Sequence, residues 1–193
     1  MDIRKLLLVA TLPLLLNGCV GAALLAGASA STVGGKMAMD NRSFHQQFSD
    51  RDISDHVHDA LFYDNQLNGR SHINVATYNG IVLLVGQTQT PELKERATEI
   101  AKATKGIRKV YNELGISGSE SFFASVDDGW LTSKVKTMML RRSGLHSDEL
   151  KVVTENGVVY LMGDISQAQA TLAADTARRV GGVRKVVEVF QQA

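Results

Sequence analysis

The segment HINVATYNGIVLLVG, residues 72–86, recurs as ELKVVTENGVVYLMG, residues 149–163, at a constant offset of 77. Further along, GIRKV at 106–110 returns as GVRKV at 182–186, at an offset of 76. From about Asp52 onward the chain is therefore an internal duplication of one small module. In each copy Asn79-Gly80 or Asn156-Gly157 separates two apolar runs. That dipeptide tolerates the positive φ angles of a type I′ turn, so it predicts a tight β-hairpin. An opening helix is predicted over about 52–63 and about 130–142, and a second helix over about 91–105 and 167–181. Pro91 falls in the first turn, where its missing N–H does no harm, and Gly106 and Gly182 end the second helices. A last strand is predicted near 107–114 and 183–190. The order helix, strand, strand, helix, strand describes an α+β module, a three-stranded sheet with two helices on one face.

The hairpin strands carry more apolar surface than one helical layer can cover. Val82 and Leu84 point to one face, while Ile81, Leu83 and Val85 point to the other; Val159, Leu161, Val158, Tyr160 and Met162 repeat the pattern. A sheet covered on one side alternates apolar with polar residues. The second face is thus expected to meet the sister copy, which also helps modules of only about 65 residues reach stability.

The chain begins MDIRKLLLVATLPLLLNGC. The apolar run from Leu6 to Leu16 is shorter than the about 20 residues a membrane-spanning helix needs, and it follows Arg4 and Lys5, as in a cleavable signal peptide. Leu16-Asn17-Gly18-Cys19 resembles a lipobox, in which a diacylglyceryl group is attached to the cysteine sulfur. Cys19 is the single cysteine of the chain, so no internal disulfide forms and acylation is its expected use. Val20 is not the aspartate that retains many such proteins in the inner membrane, so the resemblance implies transfer to the outer membrane, facing the periplasm. Removing residues 1–18 takes Asp2, Arg4 and Lys5 from totals of 21 Lys+Arg and 20 Asp+Glu, leaving 19 of each. A neutral chain offers no case for nucleic acid as a partner. The Gly, Ala, Ser and Thr stretch from Val20 to Gly35 and the aperiodic polar stretch from Lys36 to Asp50 are read as a mobile tether, although Phe44 and Phe48 could pack locally onto a domain.

The Asn-Gly hairpin, the V-x-L-x-G strand and the late Gly-Val-x-x-Val strand, each present twice, resemble the BON module. With a lipobox and a linker in front, the chain resembles the dual-BON outer-membrane lipoproteins over essentially its full length. The expected organisation is a signal peptide at 1–18, a lipidated flexible linker at 19–50, a first BON domain at 51–117 and a second at 126–193. The resemblance implies binding to anionic phospholipid, phosphatidylglycerol or cardiolipin, and support of outer-membrane integrity with placement at division sites. The alternative is a structural protein gripping the outer-membrane assembly machinery.

Duplication lets one copy serve as a control for the other. The stretch Asp52–Asp64 holds Asp52, Asp55, Asp59 and Asp64 with no Lys or Arg, whereas Trp130–Arg142 holds Lys134, Lys136, Arg141 and Arg142 with no Asp or Glu. Helical spacing assigns Leu131, Val135, Met138 and Met139 to the core and Trp130, Lys134, Thr137 and Arg141 to the adjacent stripe. Their counterparts at an offset of 78 are Asp52, His56, Asp59 and Tyr63. Tryptophan favours the headgroup region, and each cation near an anionic leaflet contributes about 1 kcal/mol. Trp130 is thus expected to insert shallowly while Lys134, Arg141, Lys136 and Arg142 hold phosphates. The spacing equally fits a Trp130 that caps the core beside solvated cations; the resemblance favours lipid.

No motif proposes catalysis: the sequence lacks a nucleophile elbow, a P-loop and a dinucleotide-binding glycine run. His56-Val57-His58 places its two imidazoles in widely different helical directions, so no metal site is expected. No cofactor is expected either. Arg178-Arg179 and Arg184-Lys185 could extend a surface for anions, but Arg108-Lys109 repeats the latter pair in the acidic-helix copy, so they are read as ordinary solvated positions.

Overall fold

The computed structural model describes residues 44–116 and 127–191. Cys19, the signal peptide and most of the linker lie outside the described residues. The first copy consists of α1 (Phe44–Phe62), β1 (Ser71–Tyr78), β2 (Ile81–Thr88), α2 (Pro91–Ala103), β3 (Lys109–Asn112) and a short β4 (Gly115–Ile116). The second consists of α3 (Asp128–Leu140), β5 (Leu150–Glu155), β6 (Val158–Asp164), α4 (Gln167–Arg178) and β7 (Lys185–Gln191), with a 3-10 turn at Ser147–Glu149 before β5.

Both hairpins turn as their sequences dictate. Asn79 and Gly80 have φ of 48° and 71°, Asn156 and Gly157 of 50° and 72°. β1 pairs antiparallel with β2, and after the crossover through α2 the chain returns parallel to β2; β5, β6 and β7 repeat this order. The expected last strand of the first copy is interrupted. β3 pairs Ile81 with Lys109 and β4 pairs Gln87 with Gly115, in one register, and between them the Asn112 side chain turns to accept from the Leu114 N–H at 3.0 Å. β7 runs through without a break.

Each sheet has two buried faces. On the helical side, Ile53, Val57 and Leu61 of α1 and Leu93, Ala97 and Ala101 of α2 pack on Val82 and Leu84. In the second copy Leu131, Val135 and Met139 with Ala170, Ala173, Ala174 and Ala177 cover Val159 and Leu161. The opposite faces meet each other, as the doubly apolar strands required: Ala76, Tyr78, Ile81, Leu83 and Val85 form one cluster with Tyr160, Met162 and Val189, flanked by Tyr111, Val153, Val158 and Val187. Leu83 and Tyr160, Val85 and Met162, Ile81 and Val158 are equivalent positions of the duplication, so the two copies meet through the same face. The layers are helices, sheet, sheet, helices. Polar bonds tie the seam: the Tyr78 hydroxyl donates to the Glu149 carbonyl at 3.0 Å, Lys151 Nζ to the Thr77 carbonyl at 2.9 Å, and Asn74 Nδ2 to Glu155 Oε2 at 2.8 Å.

Burial at this seam pushes the Tyr160 phenol up to about 12, and the nearby charges of Glu113 and Glu155 add to the shift. Because folding raises this pKa from its ordinary 10, the associated stability is full below pH 10 and is lost as pH rises from 10 through about 12. A shift of that size corresponds to about 3 kcal/mol. Urea unfolding of wild type and Tyr160→Phe, compared between pH 9 and 11.5, is expected to show this loss in wild type and not in the variant.

The linker boundary needs correction. α1 begins at Phe44, inside the 19–50 stretch assigned to the linker, and Asp50 is buried. Its two carboxylate oxygens accept from the Asn79 and Gly80 N–H groups at 2.8 Å each. An aperiodic polar stretch hid a helix whose last anchor is a turn 29 residues away in sequence.

Candidate functional site: the outer face of the second copy's opening helix

Asp127 caps α3, its carboxylate accepting from the Trp130 N–H at 3.0 Å. Asp128, the counterpart of Asp50, accepts from the Asn156 and Gly157 N–H groups. The two ties explain the local folding: an acid on the opening helix, Asp50 or Asp128, clasps the hairpin turn in both copies, and a hydroxyl pair one turn on, Ser54 with Thr77 and Thr132 with Thr154, repeats it at 2.8 and 2.7 Å. Arg108 and Arg184, read as solvated cations, finish the same corner; their Nη1 groups donate to the Asn79 and Asn156 carbonyls.

Burial of Leu131, Val135 and Met139 turns the opposite side of α3 outward. Trp130 is 57% exposed there. Lys134 Nζ stands 4.6 Å from the Trp130 ring centroid and donates to the Gly181 carbonyl at 2.9 Å. One of its three N–H donors is therefore engaged, and the cation is held beside the indole. Thr137 is exposed on the same side, its hydroxyl folded back to the Ser133 carbonyl at 2.8 Å. Arg141 caps the helix and is exposed. Thus Trp130, Lys134, Thr137 and Arg141 are brought together. Lys136 is not: it is half-buried, and at about 100° per residue it lies about 120° from Trp130 around the axis. Arg142 lies past the helix end, beside Arg141 and α4.

Two apolar residues were misplaced or missed. Met138, assigned to the core, is 42% exposed, because the buried stripe follows 131, 135 and 139 and leaves Met138 on its edge. Leu140, at 57% exposed, joins the outer face; the 3.6-residue period that groups it with Ser133 and Thr137 was the signal available. The charge contrast between copies also narrows. α1 includes the exposed Arg51, and α3 includes Asp128, whose carboxylate is turned to the hairpin. At the outer face itself the contrast holds: Asp52, His56, Asp59 and Tyr63 are all exposed. His58 and Phe62 of the same helix stack with ring centroids 6.1 Å apart.

An exposed indole and leucine flanked by cations have the amphipathic chemistry that suits the interface of an anionic membrane. No helix among the described residues is long and apolar enough to cross a membrane, and no group of three His, Cys, Asp or Glu side chains among them converges as a metal site would need.

Residues 49–118 and 127–193 each match the model of the BON domain, and the chain belongs to that family. It is 38% identical over 189 residues to the outer membrane lipoprotein DolP of Haemophilus influenzae, covering 98% of this chain and 96% of that protein. It is also 39% identical over 152 residues to a protein named 21 kDa hemolysin from Actinobacillus pleuropneumoniae, covering 79% and 78% of the two chains. The osmotically-inducible protein Y of Escherichia coli is 32% identical over 132 residues, covering 66% and 65%.

Proposed function

We propose that this protein is an outer-membrane lipoprotein, anchored through Cys19 and facing the periplasm, whose second BON domain binds anionic phospholipid. In this reading it supports outer-membrane integrity and is placed at division sites, without catalysing a reaction. The observation that carries the proposal is the outward face of α3, where Trp130 and Leu140 stand exposed among Lys134, Thr137 and Arg141 while the equivalent face of α1 carries Asp52, His56 and Asp59. The near full-length similarity to a protein named as an outer membrane lipoprotein supports the location.

The exposed His58, Phe62 and Tyr63 of the first copy favour a second reading, docking of a protein partner such as outer-membrane assembly machinery on α1. Protein-free vesicles separate the two. The mature Cys19→Ser chain, without acyl groups, is expected to sediment with phosphatidylglycerol vesicles and not with phosphatidylcholine vesicles, with binding that falls as salt rises. Failure to bind either kind of vesicle would leave only the protein-docking reading.

A further inference from the structure

Between the C-terminal ends of α3 and α4 lies a cavity of about 340 Å³ lined by Met138, Arg141, Arg142, Asp175, Thr176 and Arg179. We propose that it is a discrete site for the phosphodiester of one glycerophospholipid headgroup, held by Arg141, Arg142 and Arg179. This rests on the membrane-binding reading above and gives it a stoichiometric site in place of a diffuse charge.

The charge balance calls for an anion. Asp175 is the one carboxylate on the wall, and it accepts from Arg178 Nη1 at 3.0 Å, while Arg178 Nη2 reaches Glu188 at 2.9 Å. No ion pair among the described residues engages Arg141, Arg142 or Arg179. Three guanidinium groups on one cavity repel one another unless an anion joins them, and the planar fork of each suits phosphate oxygens. Arg141 and Arg179 are C-caps of α3 and α4, where a cation complements the helix dipole. The dipole accounts for a cation at each helix end; it does not require three arginines and a methionine around a shared cavity.

The first copy shows that the fold has no need of them. The positions equivalent to Arg141, Arg142 and Arg179 are Tyr63, Asp64 and Ala103. There Asp64 closes the corner internally, accepting from Arg96 Nη2 at 2.8 Å and from the Gln66 and Leu67 N–H groups. The Arg96 guanidinium holds the Asp64 carboxyl below its usual range. In the second copy Leu172 replaces that arginine and Arg142 replaces the acid, so the corner has exchanged its own ion pair for unpaired cations. A lipid, and not free phosphate, is the fitting source of the anion. Arg141 shares the helix face that carries Trp130 and Leu140, and Met138 gives the cavity an apolar wall for the glycerol end of the headgroup.

The test is a titration of the mature Cys19→Ser chain with dihexanoyl phosphatidylglycerol below its micelle concentration, followed by NMR of the backbone amides and arginine Nε–H groups. Saturable shifts centred on Arg141, Arg142 and Arg179 are expected. Arg179→Gln and, independently, Arg142→Gln should each weaken binding about tenfold, with amide spectra otherwise unchanged. Lys185→Gln, which removes the same charge from an exposed position elsewhere, should leave this affinity as it is. Wild-type affinity in Arg179→Gln, or equal weakening by Lys185→Gln, would overturn the site. Equal affinity for inorganic phosphate would overturn its assignment to lipid. If monomeric lipid saturates the arginines while vesicles are not captured, the cavity stands and the membrane reading falls. If vesicles are captured through Trp130 but Arg179→Gln binds monomeric lipid like wild type, the reverse holds.

Discussion

Replacing Gly86 by alanine is expected to lower the stability of the folded chain by about 4 kcal/mol, equivalent to a melting shift of roughly 10 °C for a chain of this size. Gly86 has φ of +119°, where a side chain is strained, and a Cβ built on it would lie 2.1 Å from the His72 carbonyl oxygen of the paired strand. The clash is with backbone, so no rotamer relieves it; β1 and β2 must separate. Val85, next to it, belongs to the seam between the copies, so the damage should spread to the second copy and broaden the transition. Gly69→Ala is the comparison, since Gly69 has φ of +70° and open space around the built Cβ. That change should cost only about 1 kcal/mol of backbone strain. Equal melting shifts for the two variants, read by circular dichroism, would show that the close approach at Gly86 carries no energy.

Trp130→Glu combined with Lys134→Glu is expected to abolish capture of the mature Cys19→Ser chain by phosphatidylglycerol vesicles. The pair changes the outer face by three charges, worth about 3 kcal/mol against an anionic leaflet, and removes the one indole. At 1.4 kcal/mol per factor of ten, the electrostatic part alone exceeds 100-fold. The fold should persist, because α3 is held by Leu131, Val135 and Met139 and by the carboxylate of Asp128. The lost Lys134 bond to the Gly181 carbonyl is exposed and should cost less than about 1 kcal/mol. His56→Glu, at the Lys134 counterpart in the first copy, should leave capture unchanged. Vesicle sedimentation that is the same for wild type and the double variant would remove α3 as the membrane-facing element.

Much of this architecture is legible in the chain because it is written twice. The offset of 77 sets the hairpins, and two apolar faces on one strand imply a second sheet. What escaped was long-range and polar. Asp50 and Asp128 hold turns 29 residues away in sequence, and no periodicity marks an acid whose partner is a backbone N–H. Met138 shows the limit of a helical stripe, since one step of 100° separates core from rim. For Arg178-Arg179 the sequence offers both a solvated pair and an extension of an anion-facing surface, and favours the first, because it does not show that the end of α4 comes beside the end of α3.

The back-to-back sheets have a consequence for the electrostatics of docking. With helix-to-sheet and sheet-to-sheet spacings of roughly 10 Å each, α1 and α3 lie about 30 Å apart on opposite outer layers. The screening length in physiological salt is about 8 Å. A leaflet touching α3 is therefore blind to the carboxylates of α1, and the acidic helix is held off at no electrostatic penalty. One chain thereby presents two independent polarities, one to each side, with the paired sheets as the insulating layer between them.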